Sequence, residues 1–408
     1  MSDSQDAGAV ASVAAAAGLY PGALAGVRVV DFTHVISGPF ATQILADLGA
    51  EVIKVEDTRE GDVSRALGPH KNGLSHHFGS FNRNKRSIAL DLKSQPGRQA
   101  AEELIRRADV LVENFAPGVI ERLGFGVAAC RALNARLIYC SISGFGQTGP
   151  WAHKRSLDVV AQAYAGVIST TGTAEAPPVK VGIPIGDTAV SVFAAVGIVA
   201  ALYERQTTGV GKFLDLAMFD SLLTLLGNIG GHHHTVGTQP PRVGTGHYWT
   251  TPYGSFAAAD GEVIIAAYTD PAWVGLCKAL GVPECATDPR FATGPARAAN
   301  RPQVFGIICP LMQRLPMAEL LRLLEDNGVP CAPINSVAQA LDNPHTEARQ
   351  MVLHLQHPQF GAVDQTSLPL RDVMRASHHA PPAHGEHTAE ILAELGLAPP
   401  PATFTPGN

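Results

Sequence analysis

Residues 27–56 have the sequence VRVVDFTHVISGPFATQILADLGAEVIKVE, and this stretch decides the fold. Val27 to Phe32 and Glu51 to Glu56 are short runs rich in β-branched residues, which predict two strands. Between them, Phe40 to Leu48 has a helical pattern that ends at Gly49. A strand, a helix and a second strand in succession predict a βαβ unit with parallel strands.

The same alternation continues through the first half of the chain. Further strands are predicted at Asp109 to Asn114, Arg136 to Ser143 and Lys212 to Met218, and further helices at Gly97 to Arg107, Asp158 to Ala165 and Asp220 to Leu226. Strands that alternate with helices are typical of a parallel sheet covered on both faces. We therefore predict an α/β fold with a doubly wound, Rossmann-like large domain.

A composition shift marks a second domain. Gly227 to Pro252 is rich in Gly, His, Thr and Pro, which favours a linker or an active-site loop. Tyr253 to Tyr268 predicts a hairpin, and helices follow near Trp273 to Leu280 and Met317 to Asn327. We predict a flexible tail over residues 1–20, a large domain over 21–226 and 345–408, and a linker with a small α+β domain over 227–344.

The composition excludes several classes of function. The chain has 408 residues, 46% of them hydrophobic and 16% charged, and a formal charge of -6. This balance argues against a nucleic-acid or membrane-surface binder. The six cysteines show no C-x-x-C spacing, so we expect neither a zinc site nor disulfides, and we predict a reducing, cytoplasmic location.

Two further features argue against a membrane or secreted protein. The first twenty residues contain Asp3 and Asp6 and lack a basic start, so they do not resemble a signal peptide. The apolar run Val190 to Tyr203 is shorter than the roughly 20 residues that cross a bilayer. We predict that this run is a buried helix.

Two motifs suggest cofactors and are not supported by their context. Gly144 to Gly149 matches G-x-G-x-x-G, but Pro150 and Trp151 follow it where a dinucleotide site would open a helix. A flexible glycine loop is favoured over a nicotinamide site. The three histidines at 232–234 have no acidic or cysteine partner at ligand spacing, so we predict a solvated loop and no metal.

Basic residues are the candidates for meeting an anionic ligand in this acidic chain. A run of basic residues most often lies on a solvated surface. Its functional interpretation is a cluster that binds a polyphosphate. The candidates are Arg83, Lys85, Arg86, Lys93 and Arg122.

Asp187 lies in Ile183-Pro-Ile-Gly-Asp-Thr188, directly before the long apolar run. It is either an ordinary helix N-cap or a nucleophile. In the second case, the N–H groups and dipole of the helix end would keep the carboxylate ionised.

A set of motifs spread over residues 24–398 resembles the class III CoA-transferases, a family related to α-methylacyl-CoA racemase. The motifs are LAGVRVVDFTH (24–34), Gly38-Pro39, LGAEVIKVE (48–56), NKRS (84–87), VENFAPG (112–118), SGFGQTGP (143–150), Gly186-Asp187 and GEHT (385–388). The resemblance implies a Rossmann-like large domain, a small domain and two chains interlocked as rings. A homodimer is expected, with a heteromer as the alternative.

The resemblance also implies the chemistry. Asp187 matches the aspartate that attacks an acyl-CoA thioester, giving an aspartyl anhydride and then an aspartyl-CoA thioester. CoA is then a substrate, and no prosthetic group is expected. Matching positions imply CoA contacts at His34, Ile36, Ser37, Leu90, Asp91, Leu92, Lys93, Asn114, Phe115, Ala116, Arg122, Arg155, Ser156, Leu157 and Asp158.

Three positions depart from the relatives in this family. Ile36 replaces a glutamine and Asp57 an arginine of formyl-CoA:oxalate transferases, which disfavours formate and oxalate as substrates. Leu157 stands where racemases have a histidine base, so transfer is favoured over racemisation. A catalytically silent subunit is a further alternative. Family habits suggest succinyl-CoA or another dicarboxyl-CoA as donor.

The acceptor acid is the least determined part of this prediction. By resemblance, the loop Arg242 to Tyr253 lies near the acyl group. Arg242 or His247 would pair with a distal carboxylate, and Trp249 would line an aromatic acid. Gly244 to Gly246 would donate hydrogen bonds to the thioester oxygen.

Overall fold

The structure is a computed structural model that describes residues 20–398. Nearly all of the predicted tail over residues 1–20 lies outside the described residues. The chain forms two compact units. One holds the chain up to Ala165, Gly182–Leu226 and the chain from His345 onward, and the other holds Gly166–Val181 and Gly227–Pro344. The domain prediction from the sequence assigned residues 166–181 to the large domain.

The first unit is built around a six-stranded sheet. Its strands are β1 (Arg28–Asp31), β2 (Glu51–Glu56), β3 (Lys85–Ala89), β4 (Val110–Glu113), β5 (Ile138–Ser143) and β6 (Phe213–Ala217). All neighbouring pairs are parallel, and the order across the sheet is β3-β2-β1-β4-β5-β6. This is the Rossmann order, in which strand addition reverses direction between β1 and β4. The predicted α/β fold with a parallel sheet is confirmed.

The central strands of this sheet are apolar and buried, as in a sheet that is covered by helices on both faces. All four residues of β4 and all six of β5 are buried, as expected for central parallel strands. The main helices of the unit are α1 (Ser37–Asp47), α2 (Gln95–Arg107), α3 (Asp158–Tyr164), α4 (Ile185–Thr208) and α5 (Met218–Leu225). Shorter helices span His76–Ser80, Val119–Leu123, Val127–Leu133 and Thr388–Glu394, with 3-10 turns at Val63–Ala66 and Arg371–Val373. Two-stranded sheets pair His70–Lys71 with Leu74–Ser75, and Val352–His357 with Gly361–Thr366.

The long apolar helix α4 is only half buried, which corrects the prediction of a buried helix. Ala194 and Ile198 are fully buried, whereas Val192, Val196 and Tyr203 are exposed. By length and composition alone, α4 would also suffice to span a membrane. One such helix is weak evidence, because the core helix of a soluble protein has the same composition, and the start of α4 is tied to α1 in this unit.

The C-terminal segment covers the exposed edge of the sheet. The N–H of His387 donates to the Ser87 carbonyl at 2.9 Å, and the N–H of Ala89 donates to Thr388 Oγ1 at 3.0 Å. These hydrogen bonds satisfy backbone N–H and C=O groups of β3 that an edge strand would otherwise leave unpaired.

The second unit contains an antiparallel three-stranded sheet in the order Cys331–Pro333, Glu262–Ala266, Tyr253–Ala257. Its helices are Val167–Thr170, Gly227–Val236, Asp270–Ala279, Gly294–Ala299, Arg301–Met312, Met317–Asp326 and Val337–Leu341, with a 3-10 turn at Pro283–Ala286; Pro344–Ala348 lies at the boundary of the units. The helix Gly227–Val236 corrects the prediction of a loop around the three histidines. Helix propensity is a weak prior, and this glycine-rich helix buries none of its residues.

Candidate active site

The carboxyl ends of β1 and β4 meet where the strand order reverses, which is where open parallel sheets bind ligands. His34 and Asn114 follow these two strands and are bonded to each other. The N–H of His34 donates to Asn114 Oδ1 at 2.8 Å, and Asn114 Nδ2 donates to the His34 carbonyl at 2.8 Å. Two of the segments predicted to contact CoA are therefore held together by one amide side chain.

Ser37 connects this pair to the candidate nucleophile. Its hydroxyl accepts a hydrogen bond from Asn114 Nδ2 at 3.1 Å and lowers the pKa of the Asp187 carboxylate. Its carbonyl accepts from Ser191 Oγ at 2.6 Å, and Ser191 Oγ also contacts the Asp187 carbonyl at 2.6 Å. The starts of α1 and α4 are thereby fixed against each other around Asp187.

Asp187 lies inside the first turn of α4 and is not its N-cap, which is Pro184 and makes no side-chain cap bond. Burial and, to a smaller extent, the nearby Asp158 carboxylate raise the pKa of Asp187 to about 7, while the Ser37 hydroxyl opposes both effects. The prediction that the helix end keeps this carboxylate ionised is corrected, because the pKa of Asp187 is raised and not lowered. Desolvation and a like charge outweigh the helix dipole here.

Asp158 is placed beside Asp187 by the start of α3. Its Oδ1 accepts the N–H of Gly186 at 2.7 Å, and its Oδ2 accepts from Gln162 Nε2 at 2.7 Å. Asp158 therefore accepts a hydrogen bond from the first turn of α4, and its carboxylate lies near that of Asp187. Raised carboxyl pKa values in such pairs are typical of functional sites.

A network of buried charges supports the loop that carries His34, and the sequence analysis missed it. Lys54 Nζ donates to the Thr33 carbonyl at 2.6 Å and pairs with Asp62 at 2.9 Å. Asp62 Oδ1 accepts the N–H of Val35, which has a φ of 68°. A β-branched residue at positive φ is strained and needs such support. A lysine inside the apolar run of β2 was the available signal.

The predicted polyphosphate cluster is corrected in three of its five members. Arg83 is buried and pairs with Asp47 at 2.6 Å, and Lys85 is buried and pairs with Asp31 at 3.0 Å. Arg86 is partly buried and pairs with three glutamates of the first unit. These side chains therefore stabilise the fold. Lys93 and Arg122 are exposed and remain candidates for a phosphate contact.

The other predicted CoA contacts lie around the same end of the sheet. Phe115 packs against the His34 ring with centroids 5.1 Å apart. Leu90 to Lys93 follow β3, two strands away from β1, and Arg122 lies in the last turn of a short helix after β4. Arg155 to Leu157 lead into α3. Contact of these residues with CoA stays a prediction.

The glycine loop 144–149 is anchored by two polar residues in register on neighbouring strands, Ser141 on β5 and Asp215 on β6. Gln147 donates from Nε2 to Ser141 Oγ at 2.8 Å and from its N–H to Asp215 Oδ2 at 2.9 Å. No helix begins after this loop until Asp158, in a stretch that is fully described. In a dinucleotide-binding fingerprint the glycine loop leads directly into a helix, so this loop does not have the geometry of a dinucleotide site.

In the second unit, Arg242 is bonded to backbone oxygens. Its Nε donates to the Thr173 carbonyl at 3.0 Å and its Nη2 to the Ala176 carbonyl at 2.9 Å. Tyr248 stacks on His247 and contacts Trp249 edge to face, with centroids 4.7 and 4.6 Å apart. That this loop recognises the acyl group stays a prediction.

Within residues 20–398, no group of three His, Cys, Asp or Glu side chains is placed to hold a metal.

Comparisons with known proteins agree with this arrangement. The sequence profile described as CoA-transferase family III matches residues 24–388. A succinyl-CoA:mesaconate CoA-transferase of Haloarcula hispanica is 39% identical over 92% of this chain and 97% of its own. An acetyl-CoA:oxalate CoA-transferase of Acetobacter aceti is 41% identical over 80% of this chain and 85% of its own. The crystal structure of a CAIB/BAIF family protein from Brucella suis superposes with a TM-score of 0.84 at 36% identity, covering 92% of this chain and all of that one.

Proposed function

Because the chain belongs to CoA-transferase family III, we propose that it moves CoA from succinyl-CoA or another dicarboxyl-CoA to a carboxylic acid, with Asp187 as the covalent carrier. The observation that carries the proposal is the position of Asp187. It is a partly buried carboxylate near Asp158, in a helix start that Ser191 ties to Ser37 at the point where the strand order reverses.

The reaction proceeds in four balanced steps. The ionised Asp187 attacks the thioester carbonyl, the C–S bond breaks and CoA leaves as a thiolate. The thiolate attacks the aspartyl carbonyl of the anhydride and releases the donor as a carboxylate. The acceptor carboxylate attacks the resulting aspartyl-CoA thioester, and the thiolate then attacks the acceptor carbonyl of the new anhydride. Asp187 is regenerated without net proton transfer.

The residue type suits this chemistry. An anhydride and a thioester both keep the acyl group activated, which a serine ester would not do. Burial raises the pKa of Asp187 to about 7, so the carboxylate is more basic than an exposed aspartate. Both the ionised and the protonated form of Asp187 are therefore populated near neutral pH. Partial burial also limits the access of water to the two activated intermediates.

The relatives support a dicarboxylic acid as a substrate. The Haloarcula protein named above carries succinyl-CoA and mesaconate in its name, and a mouse relative 36% identical over 91% of this chain is named succinyl-CoA:glutarate CoA-transferase. Racemisation is disfavoured because Leu157, an exposed apolar residue, occupies the position of the histidine base.

An interlocked homodimer is part of the proposal. The exposed stripe of α4 supports a protein partner, because Val192, Val196, Val199 and Tyr203 lie on one helix face at spacings of four, three and four residues. Light scattering of the purified protein should give the mass of a dimer. A monomer at micromolar concentration would contradict this part.

The function is tested by incubating the protein with succinyl-CoA and a panel of carboxylic acids, followed by mass spectrometry of the CoA esters. At least one dicarboxylic acid should acquire CoA, and Asp187→Ala should abolish the exchange. Asp220→Asn is the matched control, because Asp220 also lies in the first turn of a helix but is exposed. Deuterium uptake at an acyl α-carbon without exchange would favour the racemase instead.

A further inference from the structure

We propose that Asp62 is a positioning residue for CoA, which holds the loop of residues 33–37 in the shape that presents His34 and Ser37 to the ligand. The inference rests on the proposed function, because contact of this loop with CoA is part of that proposal. It assigns Asp62 a role in ligand affinity in addition to its ion pair with Lys54. Asp62 lies outside the motifs and positions for which the resemblance implied a CoA contact.

The backbone of this loop is held by side chains. Residues 33–35 lie between the end of β1 and the start of α1. Both backbone groups of Thr33 and of His34, and the N–H of Val35, are hydrogen-bonded to side chains. These side chains belong to Asp31, Lys54, Asp62 and Asn114. The shape of the loop therefore depends on four side chains and not on strand or helix hydrogen bonds.

Val35 is the strained residue of the loop, and Asp62 supports it. The φ of 68° places Val35 in the left-handed region, which a β-branched residue rarely adopts. Its N–H donates to Asp62 Oδ1 at 3.2 Å. A conformation of this kind persists only where the surrounding structure holds it in place. Loss of the bond to Asp62 should therefore let Val35 relax to a negative φ and displace the neighbouring His34 and Ser37.

Asp62 uses both of its carboxylate oxygens. Besides the N–H of Val35, Oδ1 accepts the N–H and the hydroxyl of Ser64 at 2.9 and 2.8 Å. Oδ2 lies 2.9 Å from Lys54 Nζ, and both side chains of this ion pair are fully buried. An asparagine has one oxygen, and in Asp62→Asn the ammonium group of Lys54 should hold it, because hydrogen bonds to charged groups are the stronger ones. The NH2 group would then face the N–H of Val35.

The main chain of Asp62 is anchored by a second buried carboxylate. Its N–H donates to Glu56 Oε2 at 2.9 Å, and Glu56 Oε1 accepts from Ser87 Oγ at 2.6 Å. Arg65 pairs with Glu56 at 2.7 Å and donates to the Pro382 carbonyl at 3.2 Å. Two strands of the sheet and the C-terminal segment thereby fix the position from which Asp62 reaches the loop.

The test measures the dissociation constant of CoA for the full chain by titration calorimetry. Asp62→Asn should weaken CoA binding about tenfold. Adding Val35→Gly should restore the affinity to within about threefold of wild type, since glycine adopts a positive φ without strain. Adding Val35→Ala instead should not restore it, because alanine keeps the Cβ that opposes a positive φ.

Asp47→Asn is the matched control. Asp47 is also buried and pairs with a cation, Arg83 at 2.6 Å, and it accepts from Asn84, so these partners lie outside the loop. Asp47→Asn should lower the thermal stability and leave the affinity for CoA unchanged. In the exchange assay, Asp62→Asn should raise KM for acyl-CoA about tenfold and lower kcat less than about threefold. A general loss of stability would not produce this split.

Where Asp62→Asn does not fold, Lys54→Met is combined with it so that no unpaired buried charge remains, and the comparison of glycine with alanine at position 35 decides. Four results would overturn the inference: undiminished CoA affinity in Asp62→Asn, equal rescue by glycine and alanine, an equal loss in Asp47→Asn, or a wild-type protein that binds no CoA. A wild-type protein that binds CoA but exchanges none would instead refute the proposed function, while the CoA titrations still decide the role of Asp62.

Discussion

Replacing Asp158 by asparagine should shift the pH profile of CoA transfer to lower pH. Asp158→Asn removes the like charge beside Asp187 but keeps an oxygen to accept the N–H of Gly186. The Gln162 amide can turn to offer its oxygen to the new NH2 group. The substitution therefore changes the electrostatics at Asp187 with little change in shape.

The magnitude follows from the interaction of two carboxylates. Like charges near a protein surface repel by roughly 1–3 kcal/mol at short separation, and about 1.4 kcal/mol corresponds to one pKa unit. The pKa of Asp187, about 7 in the wild-type protein, should therefore fall by about one to two units in Asp158→Asn. It should stay above the ordinary value because burial is the larger cause.

The assay measures initial rates of CoA transfer between about pH 5 and pH 9, since kcat/KM reports ionisations of the free enzyme. Attack requires ionised Asp187, so wild-type activity should rise with pH and level off above about pH 8. Each profile is normalised to its own plateau, which removes any effect of Asp158 on CoA affinity. Asp220→Asn should leave the profile unchanged. A midpoint that stays in place or moves upward in Asp158→Asn would refute the electrostatic argument.

Three further predictions concern stability and CoA binding. Because the pKa of Asp187 is higher in the folded than in the unfolded protein, the folded wild-type protein loses stability as the pH rises towards 7. In thermal unfolding, the stability of Asp187→Asn relative to wild type should therefore increase by about 2 kcal/mol between pH 5 and pH 7 and then level off. No such increase would contradict the raised pKa. Lys85→Met leaves the buried Asp31 unpaired and should cost about 3–5 kcal/mol in urea unfolding, whereas Lys93→Met, at an exposed position, should cost under about 0.5 kcal/mol; equal costs would refute the structural role. Gly97→Ala would set a Cβ 2.1 Å from a carbonyl oxygen of the segment 90–93, so it should raise KM for acyl-CoA more than it lowers kcat, and an unchanged KM would remove that segment from the CoA site.

Much of the large domain was predictable because each central strand is a short apolar run between helix signals. Glu51–Glu56 was predicted with the observed bounds, and four other sheet strands within two residues at either end. The edge strand β3 (Lys85–Ala89) was not predicted, because it begins inside the basic run. Parallel strands buried on both faces carry this signal in every residue. The order of the strands across the sheet, in contrast, depends on tertiary packing and is visible only in the structure.

The charges of the site were the part that local sequence could not predict. Arg83 and Lys85 belong to a basic run that resembles a solvated surface, and their partners lie 36 and 54 residues away. Likewise, Asp158 reaches the start of α4 across 28 residues and changes the pKa of Asp187. Pairing between distant segments is set by how helices pack on the sheet, which residue types in one segment do not reveal.

The exposed face of α4 was not predicted from the sequence either. Its sequence is apolar on all sides, which is typical of a fully buried helix. Val196 and Tyr203 are nevertheless exposed in the single chain. A helix that must be covered by a partner has the same composition as one covered by its own chain, so sequence alone cannot distinguish them.

The central claim is that Asp187 becomes covalently attached during each turnover, and oxygen-18 transfer tests it most directly. When an acceptor labelled in its carboxylate attacks the aspartyl-CoA thioester, one labelled oxygen bridges the new anhydride and stays on Asp187 after the thiolate releases the product. Peptide mass spectrometry after turnover should find oxygen-18 on the peptide that contains Asp187. Continued CoA transfer with no label on that peptide would contradict the account.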